Sequence, residues 1–110
     1  MQKGFASMND IVSIQNWLSE NYGEDYDIDH WRQGSHGQPQ RAHTFITGRQ
    51  YPDQIKHIRL SFDNDGVTVS VRILTVLDCR EIRSVVIPYD SLGFLTQLVQ
   101  VLDDYLPFLA

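Results

Sequence analysis

Residues 58–73 read IRLSFDNDGVTVSVRI, and apolar and polar side chains alternate on both sides of Asp65-Gly66. Alternation with a period of two is typical of a β-strand that buries one face. Asp-Gly is among the strongest short hairpin signals, because both residues tolerate the positive φ of a type I′ turn. The segment therefore predicts a β-hairpin with one apolar face and one polar face.

The loop length sets the register of this hairpin. A two-residue loop gives three apolar pairs: Phe62 with Val69, Leu60 with Val71, and Ile58 with Ile73. It also places Arg59 opposite Arg72, a like-charged pair that needs an acidic neighbour such as Glu81 or a bound anion. A four-residue loop beginning at Asp63 keeps the same faces and stays open, whereas a three-residue loop mixes them.

The flanking segments supply the rest of the fold. They predict an N-terminal helix from Asn9 or Asp10 to Tyr22, and strands at Asp25–Arg32, at Arg41–Thr47 and within Arg80–Ile87. They also predict a C-terminal helix that is capped by Asp90 or Ser91 and includes Leu92. This order, α-β-β-β-β-β-α, predicts an α+β fold. We expect an antiparallel meander of four to five strands with the N-terminal and C-terminal helices on one face.

The composition is typical of one globular domain over residues 1–110, with residues 1–7 as a flexible tail. The chain is 42% hydrophobic and 21% charged, and no apolar run reaches the ~18 residues that span a bilayer. Residues 1–10 contain no apolar core of a secretory signal. Cys79 is the single cysteine, so no internal disulfide can form. We expect a cytoplasmic protein with no membrane contact.

The motifs of enzymes and cofactor sites are missing from the sequence. It contains no nucleophile elbow, phosphate-binding loop or metalloprotease pattern, so we predict no enzyme, no cofactor and no catalytic residue. Cys79 is interpreted as structural. Four histidines precede the hairpin turn: His30, His36, His43 and His57. Their spacing matches no metal motif, but residues 30–57 leave a small-molecule or metal-binding protein as the first alternative.

Charge is distributed unevenly along the chain, which carries a net charge of −5. One face of the first predicted strand carries Asp25, Asp27, Asp29 and Trp31. This face is interpreted either as a solvated sheet edge or as a docking strip for a basic partner. The basic segment 32–61 includes Arg32, Arg41 and Arg49. The candidate partner-binding residues are the four of the acidic strand and the three arginines: Asp25, Asp27, Asp29, Trp31, Arg32, Arg41 and Arg49. The acidic balance makes nucleic acid unlikely, and a nucleic-acid module on segment 32–61 is the further alternative.

The second strand of the predicted hairpin continues beyond Ile73 into residues that are apolar on both faces. Leu74 and Val76, together with Val86 of the next strand, predict an exposed apolar patch, which usually marks an interface. This patch predicts a homodimer or an obligate partner. The sequence as a whole favours a small protein-interaction module, such as an inhibitor, adaptor, immunity or chaperone-like protein, that binds its partner stoichiometrically through charged surface.

Overall fold

The computed structural model describes residues 8–33, 41–48 and 55–109. Its elements are helix α1 (Met8–Tyr22), strands β1 (Asp27–Gln33), β2 (Arg41–Thr47), β3 (Ile55–Phe62), β4 (Gly66–Leu74) and β5 (Cys79–Pro88), helix α2 (Phe94–Tyr105) and a 3-10 turn (Leu106–Leu109). The strands form one sheet in the order β1-β2-β3-β4-β5, and every neighbouring pair is antiparallel. The predicted α+β meander is confirmed.

Both helices lie on the same side of the sheet, which we call the covered face; the other side is the open face. The covered face and the helices bury a continuous apolar core. Its fully buried members include Leu18 of α1, Ile46 of β2, Ile58 and Leu60 of β3, Val67, Val69 and Val71 of β4, and Leu98 and Leu102 of α2. Each such side chain contributes about 1.5–3 kcal/mol when it leaves water, so this layer dominates the stability of the fold.

The central hairpin adopts the register of the four-residue loop. Phe62 lies opposite Val67, and Leu60 lies opposite Val69. The two-residue register is wrong for a physical reason: a type I′ turn needs positive φ at both central residues, and in the described ranges only Gly93 has positive φ. Gly66 serves a close approach instead, because a Cβ there would lie 2.5 Å from the carbonyl oxygen of Ile87.

In the corrected register, the two arginines that the short loop would have paired are diagonal neighbours and are not directly opposite each other. Arg59 lies opposite Ser70, and Arg72 lies opposite His57. The like-charged pair therefore does not form. Glu81 is the residue opposite Arg72 on β5.

The starts of β1 and α2 both come later in the chain than the sequence predicts. Strand β1 begins at Asp27, because the amides of Asp25 and Tyr26 bond back to the carbonyl of Tyr22 and prolong the end of α1. Helix α2 begins at Phe94, which leaves Leu92 outside it. The predicted cap fails because the Ser91 hydroxyl donates to the carbonyl oxygen of Pro88 at 2.6 Å.

Strand β4 ends earlier than its apolar sequence suggests. It stops at Leu74, and residues 75–78 form a tight turn closed by two backbone hydrogen bonds between Thr75 and Asp78. Val76 and Leu77 are at the tip of that turn, 99% and 94% exposed. The register of β4 with β5 shifts by one residue beyond Val71, where Ile82 is left without a partner, as in a β-bulge. None of the helices in the described ranges has the length and apolar content to cross a membrane.

Candidate functional site

The open face is the candidate site, because it presents ring, arginine and hydroxyl side chains that neither helix covers. Strand alternation and the register place these residues on it: Asp27, Asp29 and Trp31 of β1; Arg41, His43 and Phe45 of β2; His57, Arg59 and Ser61 of β3; Thr68, Ser70 and Arg72 of β4. In the part of the chain that the structure describes, both helices pack on the opposite side.

Four rings form a continuous row across three strands of this face. Trp31 stacks on His43 with 5.1 Å between ring centroids, because the two residues are directly opposite in the β1–β2 ladder. His43 and Phe45 are two residues apart on β2, with centroids 6.0 Å apart. Phe45 meets His57 edge-on at 5.4 Å. We call these four residues the ring row; its outer end, Trp31, is 41% exposed.

His43 is fixed in the ring row by a hydrogen bond and by its surroundings. Its Nδ1 lies 3.0 Å from the hydroxyl oxygen of Ser61 on β3. Burial lowers the pKa of His43, the charge of Arg59 lowers it further, and Asp63 offsets part of that effect. The imidazole is therefore neutral at neutral pH, and it serves as an aromatic surface and hydrogen-bonding group.

His57 and Arg59 leave bonding capacity unused at the centre of the open face. His57 is 5% exposed, and its Nε2 has no hydrogen-bond partner. The Nε of Arg59 is also buried without a partner. Burial, then Arg72, then Arg59 lower the pKa of His57 to about 4. Buried polar groups are nearly always paired, so these two atoms set this position apart.

A second polar cluster lies between α1 and the covered face. Gln15 is fully buried; its Nε2 donates to Thr44 Oγ1 at 3.1 Å and to the His43 carbonyl at 3.2 Å, and its Oε1 accepts from Arg32 Nε at 2.7 Å. His30 extends the cluster, with Nδ1 3.0 Å from Thr44 Oγ1 and Nε2 2.7 Å from Ser19 Oγ. Every member of this cluster has a partner inside the protein.

His30 joins two elements in this cluster, because one ring nitrogen lies against Thr44 of β2 and the other against Ser19 of α1. Burial lowers the pKa of His30, the charge of Arg32 lowers it further, and Asp29 offsets part of that effect. The imidazole is therefore neutral at neutral pH.

The structure divides the candidate partner-binding residues among several places. Asp27, Asp29, Trp31 and Arg41 are on the open face. Arg32 is on the covered face, bonded to Gln15, and Asp25 precedes β1. Arg49 lies outside the described residues.

The predicted apolar patch is likewise spread out. Leu74 and Val86 both face the open side but at opposite ends of β4, since Val86 pairs with Thr68. Six residues of strand separate these ends by about 20 Å. Val76 belongs to the turn. The homodimer stays a prediction.

The three histidines in the described ranges do not meet at one point. His43 and His57 are on the open face, His30 is on the covered face, and His36 lies outside the described residues. Among the residues that the structure describes, no group of three His, Cys, Asp or Glu side chains could hold a metal ion. Cys79 is free and exposed, and its sulfur accepts from Arg72 Nη2 at 2.6 Å.

Sequence reasoning missed the roles of Gln15, His57 and Arg59. Gln15 carried a usable signal, because it lies four residues after Ile11 and three before Leu18, within the apolar stripe of α1. His57 and Arg59 carried none, since an unpaired atom depends on the three-dimensional surroundings. Comparisons of the chain with family models, with curated proteins and with solved structures found no match.

Proposed function

We propose that this protein is a small interaction module that binds a partner protein stoichiometrically through the open face, as an inhibitor, adaptor, immunity or chaperone-like protein. The observation that supports the proposal is the ring row, which ends in the exposed Trp31 and shares the open face with Arg41 of β2 and Arg59 of β3. Tryptophan and arginine are the residue types most enriched among binding hot spots.

The ring row is also held in place before any partner arrives. Each ring contacts the next, and Ser61 fixes the second one, so few side-chain rotamers remain to be lost on binding. Ordering each flexible side chain costs about 0.5–1.5 kcal/mol at an interface. A preorganised surface therefore binds more tightly than a flexible one of the same composition.

The charges favour a protein over a nucleic acid as the partner. The chain has a net charge of −5, and Asp29 and Asp63 flank the arginines of the open face. Such carboxylates repel a continuous phosphate backbone, which binds to predominantly basic surfaces. A protein surface can match alternating charges.

A position-specific cross-linking experiment tests the proposed function. A photo-reactive amino acid is placed at Trp31 on the open face or at Leu92, which is 97% exposed and precedes α2. We expect one protein adduct of defined mass from position 31 in cells of the source organism, and none from position 92. Adducts that form equally at both positions, or an adduct that nuclease removes, would contradict the proposal.

The cross-linked partner then allows a quantitative test. Trp31→Ala should weaken binding by roughly 10–1000-fold, the range of a hot-spot aromatic, with a stoichiometry near one in calorimetry. Leu92→Ala is the matched control and should leave the affinity unchanged. An unfolding curve of each variant separates lost binding from lost folding. Wild-type affinity in a folded Trp31→Ala variant would place the interface elsewhere.

A further inference from the structure

We propose that the centre of the open face is a binding site for a carboxylate group, in which Arg59 and Arg72 supply the positive charge and Arg59 Nε and His57 Nε2 supply hydrogen bonds. The inference deepens the proposed function and rests on it, because the carboxylate belongs to an acidic side chain of the partner protein. The site is distinct from the ring row, which provides the apolar contact.

The strand register brings the two guanidinium-bearing residues together. Arg59 lies opposite Ser70, and Arg72 lies opposite His57, so Arg59 and Arg72 are diagonal neighbours on β3 and β4. Diagonal neighbours are about 7–8 Å apart, within reach of long side chains. Ser70 between them is small and fully buried. Arg72 Nη2 donates to Cys79 Sγ at 2.6 Å, so Arg72 adds its charge to this place, whereas Arg59 offers the unpaired Nε donor.

The unpaired atoms specify an acceptor. In the described residues, three buried side-chain atoms lack a hydrogen-bond partner, and two of them, His57 Nε2 and Arg59 Nε, are at this place. Arginine Nε can only donate, and the neutral imidazole of His57 can place its proton on Nε2. An oxygen that accepts from both would satisfy both atoms.

The surrounding charge specifies that this acceptor is an anion. Arg72 and Arg59 both act on His57, and no acidic group among the described residues offsets them there, in contrast to His43, where Asp63 does. A carboxylate accepts up to four hydrogen bonds and pairs with arginine in a fork geometry. Glu81, opposite Arg72, and Asp29 on β1 limit the positive region to about one anion. This limit fits an isolated carboxylate better than a polyanion.

Acetate is the probe, titrated into the purified full chain at pH 7 and constant ionic strength, with chloride as the reference. The readout is the NMR signals of the His57 imidazole and the Arg59 Nε–H. We expect saturable shifts with acetate and none with chloride. Arg59→Gln and Arg72→Gln should each weaken acetate binding at least fivefold. Arg59→Lys keeps the charge without the Nε donor and should give an intermediate loss.

Arg80→Gln is the matched control, since it removes the same charge from a residue opposite Ile73 and not from the arginine pair. Acetate binding should change less than twofold in this variant. Linear shifts, the same shifts with chloride, or wild-type acetate binding in a folded Arg72→Gln variant would overturn the carboxylate site. Tighter competition by a single-stranded oligonucleotide than by an acidic peptide would overturn the choice of a protein carboxylate.

The two proposals fail in different ways. If Trp31→Ala weakens the partner but acetate never saturates, the interaction surface stands and the carboxylate site is wrong. If acetate binds with the expected arginine dependence but Arg59→Gln leaves partner binding unchanged, the anion site stands and its link to the partner is wrong.

Discussion

The two faces of the sheet are made by the same five strands, yet the buried polar groups on them differ in whether they have hydrogen-bond partners. On the covered face, Thr44 Oγ1 bonds both to Gln15 of α1 and to His30 of β1, and each of these side chains has a partner inside the protein. On the open face, His57 Nε2 and Arg59 Nε are buried atoms that have no hydrogen-bond partner. An internally satisfied cluster stabilises a fold, whereas unused bonding capacity is what a ligand can exploit.

The comparison predicts that the covered face carries most of the stability. Leu60 is fully buried there, so Leu60→Ala should lower the free energy of unfolding by about 2–5 kcal/mol in urea titrations. Thr68→Ala, on the open face and half-buried, is the control and should cost well under that. Equal losses for the two variants would break the distinction between the faces.

The buried imidazole of the open face predicts a pH effect. The pKa of His57 is about 4 in the folded chain and about 6.5 in the unfolded chain. Between these two pH values only the unfolded chain binds the proton. The free energy of unfolding is therefore highest above pH 6.5 and falls as the pH drops towards 4, by up to about 3 kcal/mol. His57→Gln should flatten this part of the profile relative to wild type. Parallel profiles would mean that His57 titrates normally.

The polar cluster of the covered face predicts a cost when one member is removed. Gln15→Leu is similar in size but removes the acceptor of Arg32 Nε and one of the two partners of Thr44 Oγ1, so it should cost about 1–3 kcal/mol in the same urea assay. Asn16→Leu is the matched control on the exposed side of α1 and should be nearly neutral. A stable Gln15→Leu variant would show that apolar packing alone positions α1.

The smallest effect is expected at the turn between β4 and β5, which belongs to neither face. Val76→Ser with Leu77→Ser should change the free energy of unfolding by less than about 0.5 kcal/mol, because both side chains are almost fully exposed.

Light scattering on this variant and on Leu74→Asp tests the predicted homodimer. A wild-type dimer that either variant converts to a monomer supports it, and a wild-type monomer contradicts it.

The sequence predicts the order of elements and the membership of the two faces, because strand alternation and the helical stripes depend on local patterns. It favoured the two-residue hairpin loop and left the four-residue loop open, since both keep the same faces; the backbone angles and the close approach at Gly66 decide for the longer loop. It placed Leu92 in α2, because the hydroxyl bond that diverts Ser91 from capping depends on the turn at Pro88.

The candidate site was only partly accessible from sequence. Trp31, Asp29 and Arg41 were identified from their residue types and alternation, and they lie on one face. Arg32 was grouped with them because it follows Trp31 in a charged segment, but alternation sends it to α1. The unpaired state of His57 and Arg59 arises from contacts among three strands, which no local pattern encodes.

The order of the strands also bears on how the chain folds. Every strand pairs with the strand next to it in the chain, so no long loop must close before the sheet can grow, and loop-closure entropy remains low. The hairpin of β3 and β4 can form first and recruit one strand at a time on each side. Helices α1 and α2, which precede β1 and follow β5, then cover one face of the sheet. No segment has to pass through a closed loop on the way.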